Sequence, residues 1–139
     1  MRNTEPVSTI MSTNIIALNR TDELETAELL FKRHNIRHIP VVKEGVVIGM
    51  LSYTDLLRIS FADAVDETET EIEALVYNMF TIDQVMAKNV VTVNSNATIK
   101  EVAQILAQKE FHALPVVDNG SIVGIVTTTD LINYLLKQL

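Results

Sequence analysis

Two short stretches concentrate polar groups of complementary chemistry: Ser52-Tyr53-Thr54-Asp55 and Thr127-Thr128-Thr129-Asp130. Each sets a hydroxyl three residues ahead of a carboxylate, where an apolar run gives way to a helical pattern. That spacing is a capping box, in which the hydroxyl accepts from the N–H three residues on and the acid reaches back to the N-cap N–H. The roles are compatible with ligand binding, because hydroxyls and orphan helix N–H groups also suit an anion. Arg37 and His38 lie ahead of the first stretch and His112 ahead of the second, while His34 falls on the polar side of a helical pattern. No Ser-His-Asp spacing, Walker-type glycine loop or His-x-x-x-His pair makes a catalytic set of these groups. The chain has no cysteine, which removes a thiolate nucleophile, a Cys-type zinc site and a disulfide scaffold. Neither an enzyme nor a metal centre is expected.

The two stretches belong to a repeat. A shift of 75 residues places Met11 on Met86, Asn14 on Asn89 and Asn19 on Asn94 without a gap. It also places Pro40-Val41-Val42 on Pro115-Val116-Val117, Gly45 on Gly120, Gly49 on Gly124, and Thr54-Asp55-Leu56 on Thr129-Asp130-Leu131. Prolines and glycines fix backbone geometry, so their coincidence marks an internal duplication. Each copy reads strand, helix, strand, strand, helix. The first strand is expected at Ile15-Ile16 and at Val90-Val91-Thr92-Val93. A helix follows, with Leu24, Ala27, Leu30 and Phe31 on one face, matched by Ile99, Val102, Ile105 and Leu106. Thr98 and Glu101 predict a capping box at its start in the second copy. A hairpin then turns at Lys43-Glu44-Gly45 or Asp118-Asn119-Gly120, of which Asn-Gly is the stronger turn signal. The last helix begins near Thr54 or Thr129.

The 139 residues carry 11 Lys and Arg against 18 Asp and Glu, a net charge of -7, and 47% are hydrophobic. That is globular usage with enough length to bury a core. Asp63, Asp66, Glu67, Glu69, Glu71 and Glu73 supply nearly all the net charge, and 61–80 contains no base. Ile72, Leu75, Val76, Met79 and Phe80 recur there at helical spacing, so about 68–80 is expected to form an amphipathic helix with its acids outward. Basic patches are missing, which argues against nucleic acid as a partner. Met1 to Pro6 lacks an apolar signal core and Val46 to Leu51 is too short to span a bilayer, so no membrane insertion and a cytoplasmic setting are expected. Leu56, Leu57, Ile59, Phe61, Leu131, Ile132, Leu135 and Leu136 exceed what two short helices bury alone, which suggests a homodimer surface.

In this order, the motifs resemble a tandem CBS-domain (cystathionine-β-synthase domain) pair. The resemblance rests on Val7-Ser8-Thr9-Ile10-Met11 and Ile82-Asp83-Gln84-Val85-Met86 at the starts of the copies. It rests further on Arg37-His38-Ile39-Pro40-Val41-Val42 and His112-Ala113-Leu114-Pro115-Val116-Val117, and on Gly49 to Asp55 and Gly124 to Asp130. It implies an α/β (α+β) fold of two pseudo-symmetric units, 7–60 and 81–137, with sheets packed face to face and an acidic helical linker over 61–80. It also implies a non-catalytic regulatory module with clefts between the units for AMP, ADP, ATP or S-adenosylmethionine. On that pattern Asp55 and Asp130 accept from ribose, and Ser52, Thr54, Thr127 and Thr129 reach phosphate. Arg37, His38 and His112 face phosphate, and backbone near Ile16 and Val91 holds adenine. Ala113 stands where the first copy has His38, which implies a weaker phosphate grip in the second. A carboxylate suits two adjacent ribose hydroxyls, since each can donate to it in a charge-assisted bond. The ligand would signal through a homodimer or a separate effector protein. The alternative is a ligand-independent scaffold for dimerisation or docking.

Overall fold

The computed structural model describes residues 4–63, 79–109 and 111–139. The elements are α1 (Leu24–His34), β1 (His38–Lys43), β2 (Val46–Ser52), α2 (Tyr53–Asp63), α3 (Ile82–Val85), α4 (Ile99–Gln108), β3 (Ala113–Asp118), β4 (Ser121–Thr127) and α5 (Thr128–Gln138). The helix expected over about 68–80 lies outside the described residues except for Met79 and Phe80. No described helix is long and apolar enough to cross a membrane.

The chain divides into two compact units, one of Ile16–Val90 and one of Met1–Ile15 with Val91–Leu139. The opening segment of each repeat therefore packs on the hairpin of the other repeat. In the first-named unit, Met50 and Ala87 exchange backbone hydrogen bonds of 2.9 Å, and Ile82 and Met86 join the core. In the other, Ser12 and Ile125 exchange bonds of 2.8 and 3.0 Å, and Val7 is fully buried beside Val102 and Leu114. Gly49 and Gly124 make this packing possible. A Cβ on Gly49 would overlap the Met86 thioether, and one on Gly124 would overlap that of Met11. The repeated Met and Gly of the sequence are thus contact partners, taken from opposite copies.

Both hairpins share one construction. β1 pairs antiparallel with β2 from His38↔Ser52 to Lys43↔Val46, and β3 with β4 from Ala113↔Thr127 to Asp118↔Ser121. Their two-residue turns hold Glu44 and Asn119 at φ 52°, followed by Gly45 and Gly120 at φ 82°. Two successive left-handed residues match the twist of the flanking strands, which is why glycine ends both turns. Each hairpin also carries a bulge, after Val41 and after Val116.

The expected first strand is reduced to one residue in each unit. Leu18 bridges in parallel to Val41 through bonds to Pro40 and Val42 of 3.0 and 2.8 Å, and Val93 bridges to Val116 in the same way. Ile15-Ile16 and Val91 run irregularly before those bridges. β-branched residues fit a pleated surface, but pairing ends where a turn intervenes. The Asn19-to-Asp22 turn and the Asn94-to-Ala97 turn begin directly after the bridging residues.

Helix faces are buried as the periodicity predicts. Leu24, Ala27 and Phe31 are buried on α1, as are Ile99, Val102 and Leu106 on α4. Phe31 meets Tyr53 edge-on with ring centroids 5.5 Å apart, tying α1 to the start of α2. Thr98 Oγ accepts from Glu101 N–H at 3.0 Å, the forward half of the expected capping box.

Candidate ligand site

Each unit brings its polar motif to one end of its hairpin. Because β1 and β2 are antiparallel, the first residue of β1, His38, lies opposite the last of β2, Ser52. The Tyr53 N–H donates to Arg37 C=O at 2.9 Å, which fixes the start of α2 beside Arg37 and His38. In the other unit the Thr128 N–H donates to His112 C=O at 3.0 Å, and Ala113 lies opposite Thr127. The parallel bridges run the preceding segments back toward the same ends, so Ile16 and Val91 lie on the His38 and His112 sides.

Both capping boxes are formed in full. Ser52 N–H donates to Asp55 Oδ2 at 3.0 Å, and Asp55 N–H donates to Ser52 Oγ at 3.1 Å. The corresponding distances for Thr127 and Asp130 are 2.9 and 3.2 Å. One oxygen of each carboxylate is therefore held by its own helix start, while Oδ1 points elsewhere. The first and third N–H groups of α2 and α5 are satisfied. The second, on Thr54 or Thr129, has no partner among the described residues, and both threonines are exposed. The end of each hairpin thus combines a carboxylate oxygen, an N–H unpartnered among the described residues and an exposed hydroxyl, groups that a ribose phosphate could use.

The structure places Arg37, His38, Ser52, Thr54, Asp55 and Ile16 in one unit, and His112, Thr127, Thr129, Asp130 and Val91 in the other. Arg37 and His112 are exposed, and His38 is partly buried. One further group joins the first site from outside the repeated motifs. Arg58 Nη1 lies 3.5 Å from Asp55 Oδ1, the oxygen that the cap leaves over. The Asp-x-x-Arg spacing was the available signal, since residues three apart share a helix face. In the second copy that position is Asn133, and Asp130 Oδ1 has no counter-ion among the described residues.

The CBS domain family pattern matches residues 7–62 and 82–137, so the chain belongs to the CBS domain family and carries it as a tandem pair. It is 30% identical over 125 residues to the CBS domain-containing protein YhcV of Bacillus subtilis, covering 90% of this chain and 81% of that one. It is 27% identical over 132 residues to protein MJ1225 of Methanocaldococcus jannaschii, covering 94% of this chain but only 47% of that longer protein. Among solved structures it is similar to the CBS domain pair of protein MJ0100, in complex with 5′-methylthioadenosine and S-adenosyl-L-methionine. That likeness has a TM-score of 0.80 at 26% identity and covers 98% of this chain and 99% of the other.

Proposed function

We propose that this chain is a non-catalytic regulatory module that senses an adenosine-containing ligand, of the AMP, ADP, ATP or S-adenosylmethionine class. The observation that carries the reading is the twofold occurrence of one arrangement. A capped helix start presents a carboxylate oxygen and an N–H with no partner among the described residues beside Arg37 and His38, and again beside His112. The adenosine ligands of the MJ0100 pair, a structure of the same fold, support the choice of chemistry. Asp55 and Asp130 accept from the ribose hydroxyls, while Thr54, Thr129, Ser52 and Thr127 turn toward the 5′ substituent with Arg37, His38 and His112. Backbone near Ile16 and Val91 receives the adenine. A cytoplasmic setting, a homodimer and a separate effector protein that reads the bound state belong to the same reading. A thermal-shift panel of AMP, ADP, ATP and S-adenosylmethionine tests it. A ligand at a hundred times its Kd should stabilise the fold by about 2.7 kcal/mol. If no compound in the panel shifts the midpoint, the reading fails.

A second reading, a ligand-independent dimerisation or docking scaffold, rests on α5. None of its residues is buried, and Ile132, Leu135 and Leu136 stand well exposed along it. Leu56, by contrast, is core, and the Phe61 side chain lies outside the described residues. Light scattering decides: a strictly monomeric mass would count against the scaffold.

A further inference from the structure

The two ends share a backbone but differ in charge. At the first, Arg37 and Arg58 accompany Asp55; at the second, the matching residues are His112 and Asn133, with Asp130. Counting histidine as neutral, these groups sum to about +1 at the first end and about −1 at the second. The neighbouring sequence differs in charge as well. Residues 32–38 hold Lys32, Arg33 and Arg37, of which Lys32 pairs with Glu28 at 2.9 Å, whereas 107–113 balance Lys109 with Glu110. At the turn ends of the hairpins, away from these sites, Lys43 stands where the second copy has Asp118, and Arg20 where it has Ser95, which donates to the Asp118 carboxylate from both backbone and side chain.

Arg58 sharpens the contrast. Asp55 has one oxygen in its cap and the other facing a guanidinium, and its side chain is 18% exposed, against 73% for Arg58. A mostly solvated arginine can swing from the carboxylate to an incoming phosphate at little cost, because such exposed pairs hold weakly. Among the described residues Asp130 Oδ1 has no such partner to displace, and Asn133 stands where the first copy has Arg58.

We infer that the two units take different classes of adenosine ligand. The Asp55 end takes a phosphorylated nucleotide, with Arg37 and Arg58 on the phosphate. The Asp130 end takes an adenosine compound without phosphate, of neutral or cationic 5′ substituent such as a sulfonium. This inference rests on the adenosine-sensing reading and adds to it a division of labour. Opposite charges on ligand and site favour binding and like charges oppose it, and the effect weakens with added salt.

Calorimetry on the full chain with AMP, and separately with S-adenosylmethionine, tests this. Asp55→Asn and Asp130→Asn keep an oxygen that can accept from the N-cap N–H, so each variant removes the charge while leaving the cap a partner. The expected result is about a tenfold or greater loss of AMP affinity in Asp55→Asn and less than about a twofold change in Asp130→Asn, the size a charged hydrogen bond confers. S-adenosylmethionine should show the reverse. The exchange Arg58→Asn with Asn133→Arg, which touches neither cap, should weaken AMP at the first end and strengthen it at the second. If both ligands bind but compete for one site, or AMP follows Asp130, the inference is overturned while adenosine sensing stands. If neither ligand binds the native chain, adenosine sensing itself falls and the inference falls with it.

Discussion

The unit holding α1 and the unit holding α4 are two copies of one backbone with different chemistry on it. Positions that set geometry are kept: Gly49 and Gly124 under a methionine, Gly45 and Gly120 in the turns, the two capping boxes. Positions that carry charge or fill volume have changed: Phe31 against Leu106, Tyr53 against Thr128, Arg58 against Asn133, Lys43 against Asp118. Backbone devices tolerate few residue types, whereas a surface charge or a core side chain of similar bulk can be exchanged without altering the chain path. The frame is kept in both copies while the charges and side chains it carries differ.

The largest expected effect lies in the two cores. Phe31→Ala should cost about 3–5 kcal/mol and Leu106→Ala about 2–5 kcal/mol in denaturant unfolding. Phe31 should lie at the upper end, because Tyr53 loses its edge-on partner while Leu106 faces no aromatic ring at Thr128. If Leu106→Ala proves clearly the more damaging, the two cores do not differ in the way described. The caps should show the opposite, a shared cost. Ser52→Ala and Thr127→Ala are each expected to lose about 1 kcal/mol, as for other N-caps. A gap well beyond that between the two variants would mean that the matched geometry does not carry matched energy.

The turns differ in only one residue type. Glu44 and Asn119 hold the same left-handed φ, a conformation asparagine adopts more readily than glutamate. Glu44→Asn should therefore stabilise the fold by up to about 1 kcal/mol in thermal or urea unfolding. The smallest effect concerns acid. Hydrogen bonds from the Ser95 hydroxyl and backbone hold the Asp118 carboxyl below its usual value. A depressed carboxylate contributes stability above its unfolded pKa of about 3.9, and that contribution is lost as pH falls through the folded value. Ser95→Ala should raise the Asp118 titration midpoint by NMR and make the acid limb of stability shallower. The first unit, with Arg20 and Lys43 in these places, should show no counterpart.

Much of this frame was legible in the residues. Apolar spacing marked α1 and α4 and their buried faces, and the Gly-containing turns marked both hairpins, because these signals are local. The exchange of opening segments was not legible: Val7 and Ile82 read as apolar in either copy, and periodicity does not say which hairpin a segment joins. The first strand was over-read for a related reason. Val90-Val91-Thr92-Val93 has strand composition, yet a strand also needs hydrogen-bond partners, and only Val93 finds them. At the candidate site the carboxylates and hydroxyls were visible as a pattern, whereas the Arg58 contact showed itself only once the helix placed both groups on one face.

On the proposed reading, both helix starts serve an adenosine ligand and do more than cap a helix. The direct measurement is calorimetric titration of the full chain with AMP and with S-adenosylmethionine, compared with the Asp55→Ala, Asp130→Ala double variant, its folding checked by circular dichroism. Heats of binding are expected in the native chain and should disappear in the folded double variant. Undiminished binding in that variant would contradict the reading.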